Sequence, residues 1–66
     1  MTVIINGERR EIPEGLTVAG LLAHIGMANN RVAIERNLEI LPHSNWATTD
    51  VQADDCYEIV HFVGGG

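Results

Sequence analysis

The sequence has no lysine and a single cysteine, and its basic side chains other than histidine are four arginines. One cysteine, Cys56, excludes an internal disulfide framework and is typical of a reducing compartment. Nine acidic residues outweigh the arginines and leave a formal net charge of −5. This balance argues against nucleic acid or an anionic membrane as a partner and favours a partner protein with a basic docking surface.

Long hydrophobic runs are also missing. No apolar stretch approaches the roughly 20 residues of a transmembrane helix, and the first residues lead into a short β-branched run rather than a signal peptide. We therefore expect a cytoplasmic protein. A chain of 66 residues forms one domain and buries only about 60% of its unfolded surface. So thin a core favours a carrier or adaptor over an enzyme with an enclosed pocket.

The first part of the chain has the pattern of a β-hairpin. The apolar run at residues 3–5 is followed by Asn6-Gly7, the strongest short hairpin signal. Residues near Arg9 to Ile12 are therefore expected to return as the second strand.

A helix is predicted next. Thr17 is suited to be its N-cap, because a threonine hydroxyl can accept a backbone N–H of the first turn. Gly26 is placed to end it in the left-handed conformation, and His24 falls on its solvent side. The spacing i, i+3, i+4, i+7 predicts one buried stripe formed by Val18, Leu21, Leu22 and Ile25.

The second half of the chain predicts three more strands. Val32 and Ile34 alternate with polar residues as in a half-buried strand. Arg36-Asn37 is expected to turn the chain into a short strand at residues 39–41. An irregular segment at 43–55 follows, and residues 57–63 form the last strand. A hairpin, a helix and three strands predict an α+β domain with a mixed sheet packed on one main helix.

The sequence ends in three glycines, Gly64, Gly65 and Gly66, directly after an apolar strand. Termini are often disordered, but glycine is also the residue that lets a backbone pass close to another molecule. We therefore divide the chain into a folded domain at residues 1–63 and a flexible tail at 64–66.

The element order and the glycine tail resemble ubiquitin-like β-grasp proteins. The most specific resemblance is to the ThiS family, the sulfur carriers of thiamin biosynthesis. It is carried by residues 32–37, by Pro42 to Trp46 with the pattern P-x-S-x-W, by residues 58–60 and by residues 63–66. The sequence departs from the family at Asp54, which replaces a usual glycine. Aspartate tolerates a left-handed turn better than most residues, so only modest strain is expected there.

The resemblance implies a role as a protein co-substrate rather than an enzyme. An adenylyltransferase of the ubiquitin-activating type would use ATP and magnesium to adenylate the Gly66 carboxylate. A sulfur donor fed by a cysteine desulfurase or sulfurtransferase would then convert Gly66 to a thiocarboxylate, from which thiazole synthase takes sulfur. The carrier itself is expected to bind no cofactor and no metal. The same fold and tail also fit a carrier for molybdopterin or tRNA thiolation, or a ubiquitin-like covalent modifier.

The last strand suggests where a partner would dock. If Tyr57 and Ile59 point at the helix, then Glu58, Val60 and Phe62 lie on the opposite face, which a single helix cannot cover. Exposed apolar residues are common singly, but clusters often mark interfaces. We predict that Glu58, Val60 and Phe62 bind a partner.

Other chemistry-bearing residues are assigned to structure. The three histidines and Cys56 lack metal-ligand spacing. Cys56 could act as a sulfur relay, but it stands far along the chain from Gly66. Trp46 could stack a ligand, although a lone tryptophan in a loop is more often a lid over the core.

Overall fold

A computed structural model describes residues 1–28 and 31–62 of the chain. Its strands form one sheet in the order β2-β1-β5-β3-β4, in which β1 and β5 are parallel and the other neighbours are antiparallel. The predicted α+β domain with a mixed sheet and one main helix is thus confirmed. The elements are β1 (Thr2–Ile5), β2 (Glu8–Glu11), α1 (Val18–His24), β3 (Val32–Arg36), β4 (Glu39–Leu41), a 3-10 turn (His43–Asn45) and β5 (Cys56–His61).

The first hairpin is closed by the predicted two-residue turn. Asn6 and Gly7 have φ of 50° and 82°, the left-handed pair that a turn matched to strand twist requires. Because this turn pairs Ile5 with Glu8, β2 begins earlier than the predicted start near Arg9. Ile12 lies beyond the strand, where it is buried in the core.

The helix begins and ends as expected. Thr17 has the extended conformation of an N-cap, and its hydroxyl accepts the Gly20 N–H at 3.1 Å. Gly26 has a φ of 81°, which allows the chain to leave the helix in the left-handed region. His24 is exposed, as predicted. With seven residues, this helix is too short to cross a bilayer, and no helix within the described ranges qualifies as a membrane span.

The core lies between this helix and one face of the sheet. Trp46 packs against it, half-buried, and its indole N–H donates to the Leu41 carbonyl at 3.0 Å, so its role as a lid is confirmed. Three residues of the predicted helical stripe are buried, and Ile25 is half-buried. The buried apolar residues are Val3, Ile5, Ile12, Val18, Leu21, Leu22, Val32, Ile34, Val51, Tyr57 and Ile59.

The second hairpin turns one residue later than predicted. Arg36 still belongs to β3 and pairs with Glu39 of β4, and its guanidinium is held by Asp55 at 3.0 Å. The turn residues are Asn37 and Leu38, with φ of 51° and 71°. A left-handed conformation costs a non-glycine residue roughly 1–2 kcal/mol. Asp54, at φ 68°, adopts the left-handed turn expected of it.

Candidate functional site

Strand β5 is the central strand of the sheet and presents two different faces. Tyr57 and Ile59 are 1% and 6% exposed and face the core, whereas Val60 and Phe62 are 58% and 55% exposed. Glu58 is exposed as well. The predicted alternation along β5 is therefore confirmed, and the partner-binding role of the outer residues stays a prediction.

The neighbouring strands extend this outer surface, which we call the open face. Ala33 of β3 lies opposite Val60, and Glu35 of β3 lies between Glu58 and Ile40 of β4. Cross-strand partners on one face have Cβ atoms about 4.5–5.5 Å apart, so these side chains adjoin. A shallow depression of about 130 Å³ results, lined by Ala33, Ile34, Glu35, Ile40, Glu58 and Val60.

Two carboxylates stand directly opposite each other on the open face. Glu35 and Glu58 are paired across β3 and β5, and both are exposed. The ion pairs within residues 1–28 and 31–62 join the N-terminus to Glu11 and Arg36 to Asp55, so neither glutamate has a salt-bridge partner there. Arg9 shares the face, but it lies opposite Ile4 on the edge strand β2. Like charges placed directly opposite destabilise a sheet, and a basic group from outside would relieve the repulsion.

The start of β5 is held by a buried carboxylate that the sequence did not reveal. Asp55 is 5% exposed, and its Oδ2 accepts from Arg36 Nε at 3.0 Å, from the Gln52 N–H at 2.9 Å and from the Tyr57 hydroxyl at 2.9 Å. Asn37 Nδ2 donates to its Oδ1 at 3.1 Å. Asp55 thus holds together β3, the turn after β3 and the loop before β5. The sequence offered one signal for this role: Asp55 directly follows Asp54, the residue expected in a left-handed turn.

Burial and hydrogen bonding shift two pKa values in this cluster. Burial raises the pKa of the Tyr57 hydroxyl to about 12, and its hydrogen bond to Asp55 acts in the same direction. Burial alone would raise the pKa of Asp55, but hydrogen bonds from Gln52, Asn37, Tyr57 and Arg36 reverse this and lower it below its ordinary value. At neutral pH the pair is therefore a carboxylate accepting from a neutral phenol.

Asn6 links the first hairpin to the middle of β5. Its side-chain amide donates to the Ile59 carbonyl at 3.1 Å, and its side-chain oxygen accepts the Ile59 N–H at 2.7 Å. The amide thereby continues the pairing of β1 with β5 beyond the point where β1 turns away. The sequence identified Asn6 as a turn residue and missed this second role.

The predicted reactive end follows β5 directly. The Phe62 N–H donates to the Arg31 carbonyl at 3.0 Å, so β5 remains attached to the β3 segment up to Phe62. Gly64, Gly65 and Gly66 lie outside the described residues, as does Val63. The open face therefore extends along β5 to Phe62, the last described residue before the predicted tail.

The remaining candidates do not gather into a second site. Cys56 is exposed at the start of β5, and the strand from Cys56 to His61 spans about 17–20 Å, which separates the thiol from the tail. Cys56 is thus an exposed strand residue, and its assignment to structure rather than to a sulfur relay stays a prediction. Among the residues that the structure describes, no group of three or more side chains could hold a metal ion.

A mixed five-stranded sheet on one helix, with β5 as its central strand, defines a ubiquitin-like β-grasp domain. A sequence model of the ThiS family matches residues 3–66. The chain belongs to the ThiS family.

Comparison with four similar proteins shows the extent of the likeness. The crystal structure of the thiamine biosynthesis protein ThiS from Geobacter metallireducens superposes with a TM-score of 0.85, at 32% identity over 100% of both chains. The sulfur carrier protein ThiS of Bacillus subtilis is 42% identical over 50 residues, 76% of each chain. A thiazole synthase of Paramagnetospirillum magneticum is 47% identical over all 66 residues. The chain spans 20% of that protein's length, and the same share of a thiazole synthase of Magnetococcus marinus.

Proposed function

We propose that the protein is a sulfur carrier for the thiazole moiety of thiamin and acts as a co-substrate of other enzymes. The observation that carries this proposal is the family match over residues 3–66, which takes in both the open face and the glycine tail. It is supported by the Bacillus subtilis relative, whose name is sulfur carrier protein.

The proposed reactive group is the Gly66 carboxylate. A carboxylate is a poor electrophile, so a ubiquitin-activating-type adenylyltransferase would join it to AMP from ATP and release pyrophosphate. A sulfur donor supplied by a cysteine desulfurase or sulfurtransferase would then attack the acyl carbon and displace AMP. The C–O bond to AMP breaks and a C–S bond forms. When the donor is a persulfide, the product is an acyl disulfide; a second thiol then attacks the donor sulfur, forms a disulfide with it, breaks the S–S bond and releases the thiocarboxylate.

The residues of this chain would supply recognition and reach. The open face gives a partner apolar contacts at Val60 and Phe62 beside the acidic Glu58, and the strand leads from there into three glycines. A residue without Cβ passes most easily through a narrow channel toward a nucleotide. ATP, magnesium and the acid–base groups would come from the partner enzymes.

Thiazole synthase is the proposed acceptor of the sulfur. Support comes from the two relatives of that name, each of which contains a segment similar to the whole chain. A sequence that lies within the acceptor enzyme in those organisms is suited to work beside it here. We propose that these steps take place in the cytoplasm.

Reconstitution tests the proposal. The thiocarboxylate form, mixed with thiazole synthase, its deoxyxylulose phosphate substrate and a glycine imine, should yield thiazole phosphate and return the free Gly66 carboxylate. In cells, deletion of the gene should create a requirement for thiazole or thiamin. Growth without either, together with lost molybdoenzyme activity or tRNA thiolation, would contradict the thiamin assignment. An isopeptide conjugate in place of the thiocarboxylate would favour a covalent modifier.

A further inference from the structure

The two hairpins have the same kind of turn but different second residues. The first uses Asn6-Gly7, with φ of 50° and 82°, and the second uses Asn37-Leu38, with φ of 51° and 71°. Glycine is preferred at the second position because it has no Cβ to clash there. Leu38 is therefore strained, and it is also 89% exposed. A large apolar residue held in an unfavourable conformation and in water gains nothing for the isolated domain.

Leu38 lies on the open face, at the end away from the tail. It borders a depression of about 150 Å³ together with Ile4, Cys56, Glu35 and Glu58. Ile40, which is 78% exposed, borders the depression on the other side of the same two glutamates. The open face thus has apolar residues at both ends and an acidic ridge, Glu35 with Glu58, between the two depressions.

We propose that Leu38, Ile40 and Glu35 form a second half of the docking face, which takes a surface of thiazole synthase that places a basic side chain on the acidic ridge between apolar contacts. This inference rests on the proposed function and adds three contact residues to it. The chemistry follows from charge complementarity: two opposed, exposed carboxylates without a salt-bridge partner in the described ranges would be stabilised by an external cation. Leu38 would then enter an apolar recess and lose its contact with water.

Two other occupants fit this face less well. The four residues from Val63 to Gly66 reach at most about 14 Å. The Asn37-Leu38 turn adjoins Cys56, about 20 Å back along β5, which is out of that reach. A second copy of the chain, paired face to face, would bring four carboxylates together in a protein that already carries a net charge of −5.

Replacement of Leu38 by glycine distinguishes the effect of Leu38 on stability from its effect on binding. Leu38→Gly should raise the melting temperature by roughly 4–8 °C, because it relieves the left-handed conformation. The same change should raise the Kd for purified thiazole synthase about tenfold. A variant that is more stable and yet binds more weakly cannot be explained by damage to the fold.

Charge reversal tests the ridge independently. Glu35→Arg should preserve or increase stability, since it removes a like-charge pair, and should weaken binding to thiazole synthase about tenfold. The matched control is Glu14→Arg, which makes the same charge change at an exposed position between β2 and α1 and should bind as the unaltered protein does.

The outcomes distinguish this inference from the proposed function. If the unaltered protein accepts and donates sulfur while Leu38→Gly and Glu35→Arg bind with unchanged Kd, the inference alone is wrong. Weaker binding only to the adenylyltransferase, or a dimer in sedimentation that Leu38→Gly dissociates, would overturn the assigned occupant. If the unaltered protein neither binds thiazole synthase nor carries sulfur, the proposed function fails first.

Discussion

Asp55 is the residue on which the local geometry at the start of β5 depends. Its carboxylate accepts from Arg36, Asn37, Tyr57 and the Gln52 backbone. Because its pKa is lowered in the folded state, it stabilises the fold above its unfolded pKa of about 3.9. That contribution is lost as the pH falls below this value through the folded pKa. Arg36 is 26% exposed, so solvent screens part of the ion pair.

Tyr57 predicts a stability change at alkaline pH. Its pKa is raised from 10.0 to about 12 in the folded protein, so folding favours the neutral phenol. The free energy of unfolding should be constant up to about pH 10 and fall between about pH 10 and 12, as the unfolded chain gains from ionisation first. Urea unfolding at stepped pH measures this. Tyr57→Phe is the control and should lack that fall; an identical alkaline fall in the variant would contradict the assignment.

Asn6 offers a test of a side chain that has two roles. Asn6→Gly keeps the left-handed turn but removes both hydrogen bonds to Ile59. At about 0.5–1.5 kcal/mol per bond, the loss should be about 1–3 kcal/mol in the free energy of unfolding. Ala47→Gly, at an exposed turn position outside the Asp55 cluster, serves as a control for added backbone freedom. A loss no greater than that of the control would show that the Ile59 bonds contribute little.

At the scale of elements, β5 completes the core and is also the strand on which we predict that a partner binds. Its inner face completes the core through Tyr57 and Ile59, and its outer face presents Glu58, Val60 and Phe62. It is also flanked by β1 on one side and β3 on the other. A central strand is well suited to aim a tail, because both neighbours restrain its direction.

Arginine substitutions on the two faces of β5 should have different effects: those on the outer face should weaken binding, and one on the inner face should unfold the domain. Val60→Arg or Phe62→Arg should weaken binding to the adenylyltransferase or thiazole synthase by about 2 kcal/mol or more, as loss of an interface anchor does. The melting temperature should change little, since both side chains are more than half exposed. Ile59→Arg is the contrasting variant and should unfold the domain, because its charge would be buried without a partner. Calorimetry measures the binding affinity of each variant, and thermal unfolding measures its melting temperature. A large fall in the melting temperature of Val60→Arg would contradict a docking role for Val60.

For the molecule as a whole, we propose that the folded domain is recognised by the partner enzymes and that the tail carries the reacting carboxylate. Deletion of Gly66, or addition of one residue after it, should abolish ATP–pyrophosphate exchange by the adenylyltransferase, because the reacting carboxylate is displaced. The circular dichroism spectrum should not change, since no buried side chain is touched. Addition of one residue at the N-terminus is a length-matched control. Normal exchange with the C-terminally extended protein would show that the reactive carboxylate has been assigned wrongly.

Local patterns in the sequence were sufficient for much of the fold. The Asn6-Gly7 turn, the N-cap at Thr17 and the alternation along β5 depend on neighbours a few residues apart, so they could be predicted from spacing. Strand ends were less accurate, as β2 and the second turn show, because hydrogen-bond register rather than composition sets them. The P-x-S-x-W segment and the glycine tail identified the family because those residues are unusual together.

Only the tertiary structure decided what lies on the open face beyond β5. That Glu35 faces Glu58, and that Ile40 stands beside them, follows from β3 pairing with both β5 and β4. Register between strands distant in sequence is set by the packing of the whole core, which no local period encodes. The burial of Asp55 arises in the same way, because Arg36 and Asn37 reach it from β3 and the turn after it. The sequence determined which elements form and which sides of β5 are apolar, whereas the pairing of the strands decided which side chains meet.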